Sequence, residues 1–204
     1  MEWLASATQT RERPLRVALC DGHGVFRRRL LIALEHDPDV AVVAEAEVPG
    51  ALGSALVDAP ADVMVVDLAS PDGDPVEGIR RLTDALPEVA ILGLAGPGDD
   101  AVPALLAGAA GAMTKTSALR RGAGAIREVA AGNVFVDRRA AQFLARRVED
   151  HERLDGLSQH HLELLYQLSA GRSIRELGPF FRSDAARLHA DLRRVIDVLR
   201  VDAA

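Results

Sequence analysis

Lysine, cysteine and aromatic side chains are nearly missing from this sequence. Its 204 residues hold a single lysine, Lys115, a single cysteine, Cys20, and only 3% Phe, Trp and Tyr. One cysteine excludes an internal disulfide and a cysteine-based zinc site, and it suits a reducing compartment. Cys20 sits inside an apolar run and reads as a small buried hydrophobe. No stretch approaches the roughly 18 apolar residues of a membrane span. Met1 to Pro14 is polar and lacks the apolar core of a secretory leader. The expectation is therefore a cytoplasmic protein with no membrane partner. With so few rings, its core has to be built from Ala, Val and Leu. At 49% hydrophobic residues there are enough of them for one or two domains.

The scarcity of lysine is informative because the chain carries 23 arginines. Where any positive charge would serve, this sequence uses arginine. A site that keeps lysine calls for a compact ammonium with three donors on a flexible stem. Lys115 follows the apolar run Gly111–Thr114, which reads as a strand. Two other short runs also end in a charge: Val17–Cys20 before Asp21, and Val63–Val66 before Asp67. The three charged residues are 46 and 48 positions apart, the length of two strand–helix units each. Charges at the same ends of parallel strands converge on one pocket.

From Leu15, apolar runs at 15–20, 40–44, 62–66, 89–94 and 111–114 alternate with stretches of helical periodicity. This alternation predicts βα units and a parallel sheet covered on both faces. Continuous apolarity within each run is what burial on both faces requires. The predicted fold is α/β, a doubly wound five-stranded parallel sheet followed by a small all-α domain. Ligand chemistry in such sheets sits beyond the carboxyl ends of the strands, where Asp21, Asp67 and Lys115 fall. After Gly132 the alternation stops. The arginine-rich stretch Arg138–Arg153 reads as a partly helical linker. Three helices follow, at Ser158–Ala170, Ser173–Phe181 and Asp184–Leu199, with Gly171 as a terminator and a Ser173–Glu176 capping box. A short helix, a turn and a longer arginine-bearing helix outline a helix-turn-helix. The expected division is an N-terminal extension at 1–14, the α/β domain at 15–133, a linker at 134–154 and the helical domain at 155–204.

Charge divides in the same way. Residues 1–137 hold 12 basic and 20 acidic side chains, and residues 138–204 hold 12 basic and 10 acidic. An acidic first part joined to a mildly basic second part fits a sensor with a nucleic-acid-facing tail.

The motifs Val17–Arg27, Asp62–Pro71, Ala107–Lys115 and Leu157–Val201 together resemble response regulators of the NarL/FixJ type, a flavodoxin-like receiver joined to a LuxR-type helix-turn-helix. The resemblance implies that Asp67 matches the phosphoryl acceptor, Lys115 the lysine that pairs with the phosphoryl oxygens, and Asp21 the first of two metal-binding acids. Three positions depart from the pattern. Gly22 replaces the second acid, Ala95 the hydroxyl that bonds the phosphoryl group, and Ala112 the aromatic switch residue. Magnesium binds through few carboxylates in regular octahedral geometry, so losing one weakens the site. The resulting expectation is a degenerate receiver with no metal, no cofactor and no enzymatic activity, regulating without phosphorylation. Asp67 and Lys115 also read as a purely structural ion pair with Asp21 as a second acceptor, and both readings stand.

By the same resemblance His189, Ala190 and Arg193 reach base edges, and Arg187 and Arg194 lie near phosphates. Asp184, Asp191 and Asp197 on that helix oppose phosphate binding, and Pro179 interrupts the helix before it. The expected partners are DNA and a second regulator, as a homodimer or as a heterodimer with a related response regulator. Two alternatives have other partners: a small-molecule ligand in the altered receiver pocket, or a pure interaction module that no longer touches DNA.

Overall fold

The computed structural model describes residues 13–58, 60–69, 74–150 and 156–201. Ser70, Pro71 and nearly all of the N-terminal extension lie outside the described residues. Strands β1 (Leu15–Cys20), β2 (Val40–Ala46), β3 (Val63–Asp67), β4 (Ala90–Ala95) and β5 (Gly111–Thr114) alternate with helices α1 (Gly24–Glu35), α2 (Pro49–Asp58), α3 (Pro75–Ala85), α4 (Val102–Leu106) and α5 (Lys115–Ala130). A sixth strand, β6 (Phe135–Val136), precedes α6 (Arg138–Glu149), α7 (Gln159–Ser169), α8 (Ile174–Phe181) and α9 (Ala185–Val201).

The sheet is parallel throughout, in the order β2-β1-β3-β4-β5-β6. It therefore has six strands where the sequence led to five. The extra strand is two residues long and has no apolar run of its own. Pairing with β5 sets it, Gly111 opposite Phe135 and Ala112 opposite Val136.

The strands are largely apolar because most of the sheet is covered on both faces; the exceptions inside them are the half-buried Arg16 of β1, the exposed Glu45 of β2 and the site residue Asp67 that ends β3. On one face Leu15, Val17 and Leu19 pack with Leu30 and Leu34 of α1 and Ile126 and Val129 of α5. On the other, Ala18, Met64 and Val66 meet Leu52 and Leu56 of α2 and Ile79 of α3. Gly93 allows α4 to press against the sheet, since a Cβ there would lie 2.5 Å from the Ala104 Cβ.

A third cluster joins the two parts of the chain. Ala95, Ala101, Val102, Leu105 and Ala112 belong to the same apolar core as Leu144 and Val148 of α6, Leu164 and Leu168 of α7, and Leu188, Leu192, Val195 and Leu199 of α9. The region read as a linker, 134–154, thus contains β6 and a packed helix, with 151–154 outside the described residues. Asp137 starts that helix. Its Oδ1 accepts from Ala140 N at 2.9 Å, and its Oδ2 accepts from Thr114 N and Thr114 Oγ1, each at 2.9 Å. That bond ties α6 to the end of β5, one residue before Lys115.

Pro179 lies inside α8, which continues through it to Phe181. The helix then ends on Arg182 in the left-handed region, φ 50°. Gly171, at φ 99°, ends α7, and the Ser173–Glu176 capping box opens α8.

Candidate functional site

Asp21 directly follows β1, Asp67 ends β3 and Lys115 opens α5, so three separate elements deliver charge to one point. All three are buried. Lys115 Nζ lies 2.7 Å from Asp67 Oδ2 and 2.8 Å from Asp21 Oδ2. The first contact is a hydrogen bond. The second is ionic only, because Asp21 Oδ2 has no partner in hydrogen-bond geometry. The other oxygen of each carboxylate binds the adjoining loop: Asp21 Oδ1 accepts from His23 N at 2.7 Å, and Asp67 Oδ1 from Ala69 N at 3.1 Å. Phe26 of α1 places its ring 4.9 Å from the ammonium. Arg27 donates to the Asp21 carbonyl and closes the rim against Glu45 at 3.3 Å.

His23, not among the residues the sequence singles out, completes the rim of the pocket. The Asp21 turn swings its ring over the pocket mouth, where Nδ1 lies 3.4 Å from Lys115 Nζ, 3.5 Å from Asp67 and 3.7 Å from Asp21. The same ring nitrogen thus faces the ammonium and both carboxylates. The only signal in the sequence was its position two residues after Asp21. Burial, then the charges of Asp21 and Asp67, push the neighbouring Cys20 thiol up to about 12, so it stays protonated.

The donors here fit magnesium poorly. Asp21, His23 and Asp67 bring one ligand atom each within 4.8 Å of one another. One of the three is an imidazole nitrogen, which Mg²⁺ does not favour. Gly22 adds no side-chain oxygen, and Lys115 already neutralises the two carboxylate oxygens. The remaining departures from the family pattern are packed away: Ala95 and Ala112 are fully buried in the core shared with the helical part.

The second candidate surface is α9, and here the structure corrects one expectation. His189 is only 7% exposed and does not face outward. Its Nδ1 donates to the Val134 carbonyl at 2.9 Å, and Nε2 lies 3.5 Å from Glu128. The side chain points at α5 and β6 because that face of α9 packs on the receiver. Arg193 is exposed but hydrogen-bonds to the Gly132 carbonyl. Arg187 and Arg194 are exposed, Arg187 at 3.3 Å from the buried Asp191 and Arg194 over Gly156. Asp191 is further held by His160 at 2.8 Å. It is therefore engaged within the helical part and not presented to a phosphate. At the far end of α9, Arg200 donates to the Leu105 carbonyl of α4 at 2.8 Å.

Burial holds His189 and His161 below the ordinary histidine range, with Glu128 and Asp191 respectively opposing the shift. A base whose folded value is lowered contributes full stability above its unfolded value, about 6.5, and loses it as pH falls from there through the lower folded value. The thermal midpoint is therefore expected to drop between pH 7.5 and 5.5, and His189→Gln should flatten the slope. A profile flat over that range, measured by circular dichroism, would contradict this. Asp37, lowered by its bond to Arg127, acts only at more acidic pH.

A six-stranded parallel sheet with a charged cluster at its carboxyl edge, followed by a packed set of helices, defines a receiver joined to a helix-turn-helix. No family model matches the chain. It is 35% identical over 172 residues to the DNA-binding transcriptional activator DevR/DosR of Mycobacterium tuberculosis, covering 80% of this chain and 78% of that protein. It is 30% identical over 171 residues to the transcriptional regulatory protein LiaR of Bacillus subtilis, covering 80% and 81%. Among solved structures, the RcsB response regulator of Salmonella typhimurium aligns over 92% of both chains with TM-score 0.60 and 22% identity. RcsB has also been solved as two dimers bound to two parallel DNAs, at TM-score 0.60 and 19% identity. The chain belongs to the NarL/LuxR family of response regulators.

Proposed function

We propose that this chain is a DNA-binding transcriptional regulator whose degenerate receiver no longer runs a phosphoryl switch. One observation carries the reading: Lys115 is already engaged by both Asp21 and Asp67. The positions that would report a phosphoryl group, Ala95 and Ala112, are alanines inside the shared core. A phosphoryl group on Asp67 would find neither a second metal-binding acid nor a hydroxyl to move. The relatives' names support the DNA-binding half, as does the exposed pair Arg187 and Arg194. The protein works as a dimer, with itself or with a more complete relative, and is not an enzyme. In this reading the receiver spans 15–133, the connector 134–154 and the helix-turn-helix 155–204.

DNA binding by α9 requires its partial release, because His189 and Arg193 are held by the receiver. The expected result is that unphosphorylated protein binds a selected operator. Arg187→Ala with Arg194→Ala should weaken binding at least tenfold and lower the salt slope by about two, one for each phosphate that is no longer neutralised. His189→Ala, by contrast, should leave the affinity unchanged or raise it. Incubation with acetyl phosphate and Mg²⁺ should leave both intact mass and affinity unchanged. A phosphoryl adduct on Asp67 that strengthens operator binding would overturn the phosphorylation-independent reading.

A further inference from the structure

A second cleft lies away from the Asp21–Asp67–Lys115 pocket, between α5 and β6 on one side and α8 with the start of α9 on the other. Its volume is about 790 Å³, within the usual size range of small-ligand sites. Arg120, Arg121 and Arg127 of α5 line one wall, and Arg138, Arg172 and Arg175 line the other. Against six arginines stand two lining carboxylates, Asp37 and Glu128, and a third, Glu176, close to both walls and bonded to Ser173; all three are engaged. Asp37 is paired with Arg127, while Glu128 accepts from Asn133 at 2.9 Å and lies beside His189.

Among the described residues, no carboxylate comes within 4.0 Å of Arg120, Arg121, Arg172 or Arg175. Arg121 rests 5.8 Å from the Phe135 ring, and Arg172 lies 5.8 Å from that of Phe180. The two walls also act on a common point. Arg121 of α5 and Arg172 before α8 both help hold the Glu176 carboxyl below its usual range, after the larger contribution of its bonds to Ser173. Phe135, Val136 and Ile174 add an apolar surface to the same cleft.

This concentration of cations is not a reflection of overall charge. The chain is net −6, and its acidic excess lies in the part that contributes α5. Packing the helices on the receiver gathers like charges, and that costs Coulombic energy. A polyanion between the walls reverses this cost, and guanidinium forks match phosphate oxygens in bidentate pairs. A flat ring on the same molecule would cover Phe135 and Ile174.

We propose that the α5–α8 cleft binds a small polyphosphorylated ligand, a nucleoside polyphosphate, which clamps the helical part onto the receiver. A ligand that needs both walls favours the closed arrangement by the factor 1 + [L]/Kd. It thereby opposes the release of α9. That last consequence rests on the DNA-binding reading above. The site itself does not.

The test is calorimetric titration of the full chain with inorganic tripolyphosphate and, separately, with GTP, in moderate salt. Sodium sulfate at matched ionic strength serves as the control. Saturable one-to-one binding is expected for both probes, tighter for GTP if the apolar surface contributes. Arg120→Gln with Arg121→Gln, and Arg172→Gln with Arg175→Gln, should each weaken binding at least tenfold without changing the far-ultraviolet spectrum. No saturable binding of either probe overturns the proposal. So does a loss confined to the Arg172 and Arg175 pair, which would mark a surface for the phosphates of a DNA duplex. Added tripolyphosphate should also weaken operator binding several-fold, and an unchanged affinity overturns the clamp. If operator binding is absent altogether, the DNA-binding reading fails while the titration still decides the cleft.

Discussion

Replacing Lys115 with methionine is expected to destabilise the protein by about 3–5 kcal/mol, the usual cost of leaving a buried charge without its partner. For a chain of this size that is a fall in thermal midpoint of roughly 6–20 °C. The cause is specific. Asp21 and Asp67 each lie within 2.8 Å of the ammonium and are almost entirely shielded from water. Without the cation they repel each other in a medium that screens little. Adding Asp67→Asn to Lys115→Met should recover part of the loss, which a double-mutant cycle would read as coupling. A loss below about 1 kcal/mol for Lys115→Met, typical of an exposed pair, would show that the cluster is well solvated.

Leu192→Ala is expected to cost about 2–5 kcal/mol, the range for deleting a buried leucine side chain where the surroundings cannot collapse. Leu192 is fully buried and belongs to the core that also holds Val102 and Leu105 of α4. Because that core is continuous, the intact protein should unfold in a single calorimetric transition, and the substitution should lower it by roughly 4–20 °C. The same change loosens α9 from the receiver, so operator affinity should rise at temperatures below the transition. Two independent transitions in the unaltered protein, with the receiver's unmoved by Leu192→Ala, would show that the two parts do not share a core.

How much of this was legible depended on how local the cause was. The run at 15–20 coincides with β1, and 62–66 lies within one residue of β3, because strands covered on both faces are apolar at most positions. The convergence of Asp21, Asp67 and Lys115 was also readable, since repeated βα units bring successive strand ends to one edge. β6 was not readable, because two residues carry no periodicity and their pairing is imposed by β5. The orientation of His189 was hidden for a related reason. Helical spacing fixes which residues share a face of α9, but the partner of that face is Val134, 55 positions earlier. The role of Asp137 escaped notice too, because it caps α6 and braces Thr114 at once.

The continuity of the third cluster has a consequence for how the molecule is made. Helix α9 follows every other described element in chain order, yet it supplies Leu188, Leu192, Val195 and Leu199 to a surface begun by Ala101, Val102 and Leu105 some 80 to 100 residues earlier. While the polypeptide is being synthesised, the receiver can form its sheet well before that covering arrives. Until then an oily patch faces the solvent. A ribosome that stalls within α9, or a protease that trims it, would leave a nascent chain prone to clump or to be captured by chaperones.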